Sequence, residues 1–167
     1  MKRLFLALGI LTAGAFASAE SEPECIAQTT IDDFSDESTV SLFCSSDDKR
    51  GYILIGYYPD SNRENKGVIS LKVGPVYGYH EDKIPVKYRF DKGEVIKKRY
   101  SWSYKNDIAI SLLSRKELES WLSFIEGSET AVIALDSEKG NFTLGEQAKE
   151  MVQEFRNLLA EYEIEGE

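Results

Sequence analysis

The chain first changes its hydrophobic period near residue 114, and that change decides what class of fold it can adopt. Upstream, apolar and polar residues alternate in short runs separated by turn residues, as half-buried strands require. "STVSLFC" (38–44) puts Val40, Leu42 and Cys44 on one face. "GYILIGYY" (51–58) is apolar on both faces and predicts a central strand. "GVISLKVG" (67–74) follows the turn signal Asn65-Lys66-Gly67. "PVKYRFD" (85–91) runs into a tight turn at Asp91-Lys92-Gly93, and "EVIKKRYSWSY" (94–104) returns with Tyr100, Trp102 and Tyr104 at period two. "DIAISLL" (107–113) and, later, "ETAVIALD" (129–136) are further strands.

Downstream the spacing becomes helical. Leu118, Trp121, Leu122 and Ile125 recur at helical intervals, Ser114 and Glu117 have the spacing of a capping box, and Gly127 is a natural stop. A terminal helix gathers Ala148, Met151, Val152, Phe155, Leu158 and Leu159 on one stripe, with Thr143 and Glu146 as a second expected capping box. The fold class expected is α+β: a mostly antiparallel β-sheet or sandwich with two helices toward the C-terminus.

The first residues, "MKRLFLALGILTAGAFASA", join a short basic region to an apolar run and the small-x-small pattern Ala17-Ser18-Ala19. This reads as a secretory signal peptide, residues 1–19, too short in its apolar run to span a bilayer. Cleavage after Ala19 leaves 167 − 19 = 148 residues, the size of one ordinary domain. Seven acids and no bases lie between Glu20 and Glu37. That stretch reads as an acidic N-terminal arm (20–37), ahead of a single α+β domain (38–167). The address implied is the periplasm or the exterior, with no transmembrane segment in the mature chain.

An exported chain with two cysteines, Cys25 and Cys44, favours a disulfide between them. Two thiols and the lone His80 make no zinc spacing, so no metal is expected. The acids at 32–37 lack the order of residues in a calcium loop. No P-loop, G-x-S-x-G elbow or H-E-x-x-H occurs, and the chain carries no recognisable catalytic constellation or cofactor motif. "NFT" (141–143) fits a glycosylation pattern, but Phe142 reads as core. The formal charge is −9, or −11 without Lys2 and Arg3. A balance that acidic argues against general nucleic-acid binding.

One segment runs against the acidity. Between Lys83 and Lys105 there are eight bases and two acids, a local +6. If 85–91 and 94–104 pair as a hairpin, several bases share its outward face. Lys87, Arg89, Asp91, Lys97 and Lys98 form the expected binding face. The alternatives are an ordinary solvated face, or a mate for the chain's own acids. For Arg89 and Asp91 the alternative is a structural ion pair near the turn.

"VKYRFDKGE" (86–94), "SWSYKND" (101–107) and "GNFTLGEQAKEMVQEF" (140–155) resemble the exported accessory proteins of type VI secretion called VasI or TagO, and related uncharacterised periplasmic proteins. Tyr88, Arg89, Phe90 and Asp91 match that family's first element, Trp102 and Ser103 its second, and Phe142 and Gly145 approximate its third. The resemblance implies a periplasmic, non-catalytic, β-rich domain and supplies no ligand or catalytic residue. The function expected is a binding or accessory protein of the bacterial envelope, possibly secretion-associated, whose partner is an envelope protein or a cell-wall component. The alternatives are an exported inhibitor of a basic hydrolase such as lysozyme, and a cell-wall hydrolase with an unrecognised site.

Overall fold

The computed structural model describes residues 24–31, 37–62 and 64–164. The expected leader, its cleavage site after Ala19, and Asp32, Asp33 and Asp36 of the expected arm lie outside these residues. The strands are β1 (Cys25–Ile31), β2 (Ser38–Ser45), β3 (Tyr52–Tyr57), β4 (Gly67–Lys72), β5 (Lys83–Phe90), β6 (Ile96–Ser103), β7 (Ile108–Leu113), β8 (Thr130–Leu135) and β9 (Glu138–Thr143). The helices are α1 (Arg115–Glu126) and α2 (Gly145–Ile164). All nine strands form one antiparallel sheet in the order β1-β2-β3-β4-β7-β6-β5-β8-β9. The architecture is therefore α+β, as the change of period requires, with one sheet rather than a sandwich.

Strands β2 to β9 each bury alternating residues, while edge strand β1 buries only Cys25. Val40, Leu42, Ile53, Ile55, Ile69, Leu71, Ile84, Val86, Ala109 and Ile133 are all essentially inaccessible. The helices cover this inner face. In α1, Leu118, Trp121, Leu122 and Ile125 are buried. Trp121 lies against Tyr88 and Phe90, at ring-centroid distances of 4.5 and 5.7 Å. In α2, Ala148, Val152, Phe155 and Leu159 are buried; the helix packs over β1 and β2. Arg156 ties the helices together through Glu126, at 2.8 Å. The two ends of the strand order are laced as well. The Asp47 N–H donates to the Asn141 carbonyl at 2.9 Å, and the Thr143 N–H donates to Asp47 Oδ1 at 2.7 Å.

The local signals around α1 behave as their chemistry demands. Ser114 caps the helix, accepting from the Glu117 N–H, and the Glu117 carboxylate accepts from the Ser114 N–H at 3.0 Å. Gly127 closes it, donating its N–H to the Ser123 carbonyl at 2.9 Å.

Three expectations differ from what is found. Residues 25–31 belong to a strand rather than to an arm. Acids flank that stretch but none interrupts it, and Thr29, Thr30 and Ile31 are β-branched residues that suit a sheet edge. Thr143 does not cap α2; it ends β9, opposite Thr130, and the helix starts at Gly145, whose φ of 62° turns the chain. Tyr104 is 64% exposed and lies beyond β6, so the period-two core stripe stops at Trp102.

Candidate cation-rich docking face

The disulfide expected from the cysteine pair is present. Cys25 and Cys44 are register partners on β1 and β2, joined Sγ to Sγ with their Cα atoms 4.1 Å apart. It staples the edge strand to the sheet. No group of three or more His, Cys, Asp or Glu side chains that could hold a metal occurs among the described residues. His80 is exposed in the loop before β5 and contacts no carboxylate among the described residues. A depression of about 500 Å³ lies at the ends of β2 and β3 and includes Glu37, Tyr58, Asp60 and Lys66. Asp60 there accepts from the Ser38 N–H at 3.0 Å.

The basic stretch becomes a defined surface through strand register. Lys87 of β5 lies opposite Lys97 of β6, and on its other side opposite Ala134 of β8. Ala134 in turn lies opposite Lys139 of β9. Register partners in antiparallel strands project from the same face. Lys97, Lys87 and Lys139 therefore form one transverse row on the outer face, spanning about 14 Å at the usual strand spacing. The row beside it runs from Arg89 across Val132 to Asn141. Lys87, Arg89, Lys97 and Lys139 are exposed, and none has an ion-pair partner among the described residues. Arg99, opposite Pro85, is on the same face but is held by Glu81 at 2.8 Å. A shallow depression of about 370 Å³ over the hairpin is lined by Pro85, Val86, Lys87, Lys97, Lys98 and Arg99.

Two residues of the expected face do other work. Asp91 sits at φ 48° in the β5–β6 turn. Its Oδ1 accepts from the backbone N–H groups of Glu129 and Thr130, at 3.0 and 2.9 Å, and from the Thr130 hydroxyl at 3.2 Å. These donors, the Thr130 N–H first, hold its carboxyl below the usual range. Asp91 is thus neither an ion-pair mate of Arg89 nor part of the docking face; it anchors the start of β8. Lys98 is opposite Val86, which is buried, so it projects to the inner side of the sheet near the start of α1. Consecutive residues in a strand point to opposite faces, and Lys97 and Lys98 therefore do not share one. Glu117 is held low by the Ser114 backbone N–H and hydroxyl, and to a smaller extent by the Lys98 charge.

Lys139 was not expected on this face. "SEKG" (137–140) reads as a turn, three charged or polar residues followed by Gly140. Only the pairing of β9 with β8 brings it beside Ala134.

Lys87 and Lys97 face each other across a ladder position where the strands exchange no hydrogen bond, about 4.5 Å between Cα atoms. Like charges directly opposite one another destabilise a sheet by up to ~1 kcal/mol. No carboxylate among the described residues relieves this pair. What the arrangement does chemically is concentrate positive charge on one face of an acidic protein. No protein-family model, curated protein or solved structure matches the chain.

Proposed function

We propose that this protein is a non-catalytic binding protein of the bacterial envelope, working in the periplasm, that docks an anionic partner on the outer face of β6-β5-β8-β9. The observation that carries the reading is the transverse row Lys97, Lys87 and Lys139, with Arg89 beside it and no ion-pair partner for any of the four among the described residues. A sheet needs polar residues on its wet face, but it has no need of lysines placed opposite each other. The leader-like N-terminal sequence and the Cys25–Cys44 disulfide support the extracytoplasmic address. The resemblance to type VI secretion accessory proteins supports an accessory rather than an enzymatic role. At physiological ionic strength, charges farther than ~8 Å are largely screened. The acidic remainder of the molecule then repels an anion weakly, while the lysine row acts at contact distance.

The test is binding of polyphosphate, a defined polyanion, by titration calorimetry at low and at high salt. Reversing Lys87, Lys97 and Lys139 together to glutamate abolishes salt-sensitive binding if the reading is right. Reversing Lys105, Lys116 and Lys149, which lie in the β6–β7 turn and on the two helices, leaves it in place. Equal binding by both triple variants, each folded, removes the docking face.

A further inference from the structure

The β5–β6 hairpin also has an open edge. Strand β6 pairs with β5 from Ile96 to Ser101, but it meets β7 only over Ser101–Ser103. Strand β7 turns instead along β4 as far as Leu113. From Ile96 to Tyr100, one side of β6 has no neighbouring strand.

Ladder alternation fixes which backbone groups face that opening. The Trp102 N–H donates to the Asp82 carbonyl at 2.8 Å. By alternation Tyr100 and Lys98 also bond toward β5. Arg99 lies opposite Pro85, which has no N–H to give. The N–H and carbonyl groups of Lys97 and Arg99 therefore point away from β5 and into the gap. No strand is in register with them on that side, and no side chain among the described residues is recorded bonding to them.

We infer that this edge accepts an extended acidic segment of a partner protein as an added strand. The inference rests on the docking reading above and specifies its partner as a polypeptide rather than another polyanion. Strand addition supplies main-chain hydrogen bonds, and alternate side chains supply specificity. Lys97 provides both at once: an unpaired backbone facing the gap and an unpaired ammonium on the outer face. An acid opposite Lys97 sits within about 5.5 Å of it, Cβ to Cβ. Arg99 is already held by Glu81, so the outward selectivity falls on Lys97, while Lys98 presents a second base on the other side of the same edge. A second copy of this chain is the wrong occupant: pairing two identical edges brings Lys97 and Arg99 against their own kind, and lysines on an edge deter that association.

The experiment uses the full mature chain and three peptides, followed by amide hydrogen exchange in NMR. The first is a capped octapeptide alternating glutamate and valine. The others are N-methylated at every glutamate or at every valine. With glutamate opposite Lys97, its own N–H enters the ladder, whereas the valine N–H points away. The expected result is that the plain and valine-methylated peptides slow exchange at Lys97 and Arg99 by about tenfold or more, and that the glutamate-methylated peptide does not. Unslowed amides with the plain peptide, or equal binding by both methylated forms, overturns strand addition. Polyphosphate titrated beside the peptides separates the two claims. If polyphosphate binds while the amides stay unprotected, the docking face stands and this inference fails; if polyphosphate also fails to bind, the docking face falls with it.

Discussion

The two halves of the sheet share an inner face and differ in the outer one. On β1-β2-β3-β4-β7 the outward row runs Ile26, Phe43, Leu54, Ser70, Ile110, with Val68 and Leu112 in the next row. These are aromatic and aliphatic cross-strand neighbours, and such pairs stabilise the strands that carry them. Phe43 and Tyr52 are in ring contact at 5.6 Å. On β6-β5-β8-β9 an outward row holds Lys97, Lys87, Ala134 and Lys139. The first face is accounted for by folding. The second works against it, because its closest register pair is two ammonium groups. The comparison separates residues that the sheet requires from residues that it merely tolerates, and the proposed docking row belongs to the tolerated set.

The largest test of that division lies in what the halves share. Phe155 of α2 is fully buried over the shared core. Replacing it with alanine costs about 3–5 kcal/mol, read from the denaturation midpoint. If the inner face is one core, tryptophan fluorescence from Trp102 and Trp121 and far-ultraviolet dichroism shift together. A fluorescence transition left at its wild-type midpoint breaks the comparison, since the halves would then be independent.

Next in size is the staple. Cys25 and Cys44 are 19 residues apart in sequence, and opening a loop of that length costs roughly 3 kcal/mol in the chain-entropy view. The account expects Cys25→Ala/Cys44→Ala to lower the midpoint while polyphosphate binding by the folded protein is unchanged, because the bridge lies in the other half. Thiol titration of the unreduced, unfolded chain finds no free sulfhydryl.

Acid should strain both halves. The Ser46 hydroxyl first, then the Arg50 backbone and guanidinium, lower Asp48 to about 2, and the β8 amides lower Asp91. Depressed carboxyls contribute stability above their unfolded pKa of about 3.9, and it is lost as pH falls through the folded values. Thermal midpoints therefore decline below pH ~4. In Asp91→Asn, whose side chain does not titrate, the decline is shallower. A wild-type slope in that variant would remove Asp91 from the account.

How far the sequence reveals this arrangement depends on range. The helix α1 is legible because its signals are local: Ser114, Glu117 and Gly127 act within one turn of the residues they cap. The core side of β5 is legible because period two is a property of the strand alone. Register is different. That Lys87 meets Lys97 follows from a short hairpin, but that Ala134 and Lys139 complete the row depends on β8 returning to β5 across α1. Nothing local in "SEKGNF" encodes that return. Lys98 lies on the inner side because a strand sends neighbours to opposite faces, a separation that a count of charge along the sequence does not register. Asp91 looked like a mate for Arg89 because the amides it binds lie 38 and 39 residues away.

The smallest expected energy carries the central claim. Lys97→Glu converts a repulsive register pair into an attractive one, and the account predicts a gain of roughly 0.2–1 kcal/mol in stability. The same variant should lose affinity for polyphosphate. Chemical denaturation and calorimetry on that one protein, beside wild type, measure both. Stability raised and binding weakened is the predicted result: a residue kept against the interest of the fold. Stability lowered or unchanged, with binding intact, would contradict it and return the row to an ordinary wet face.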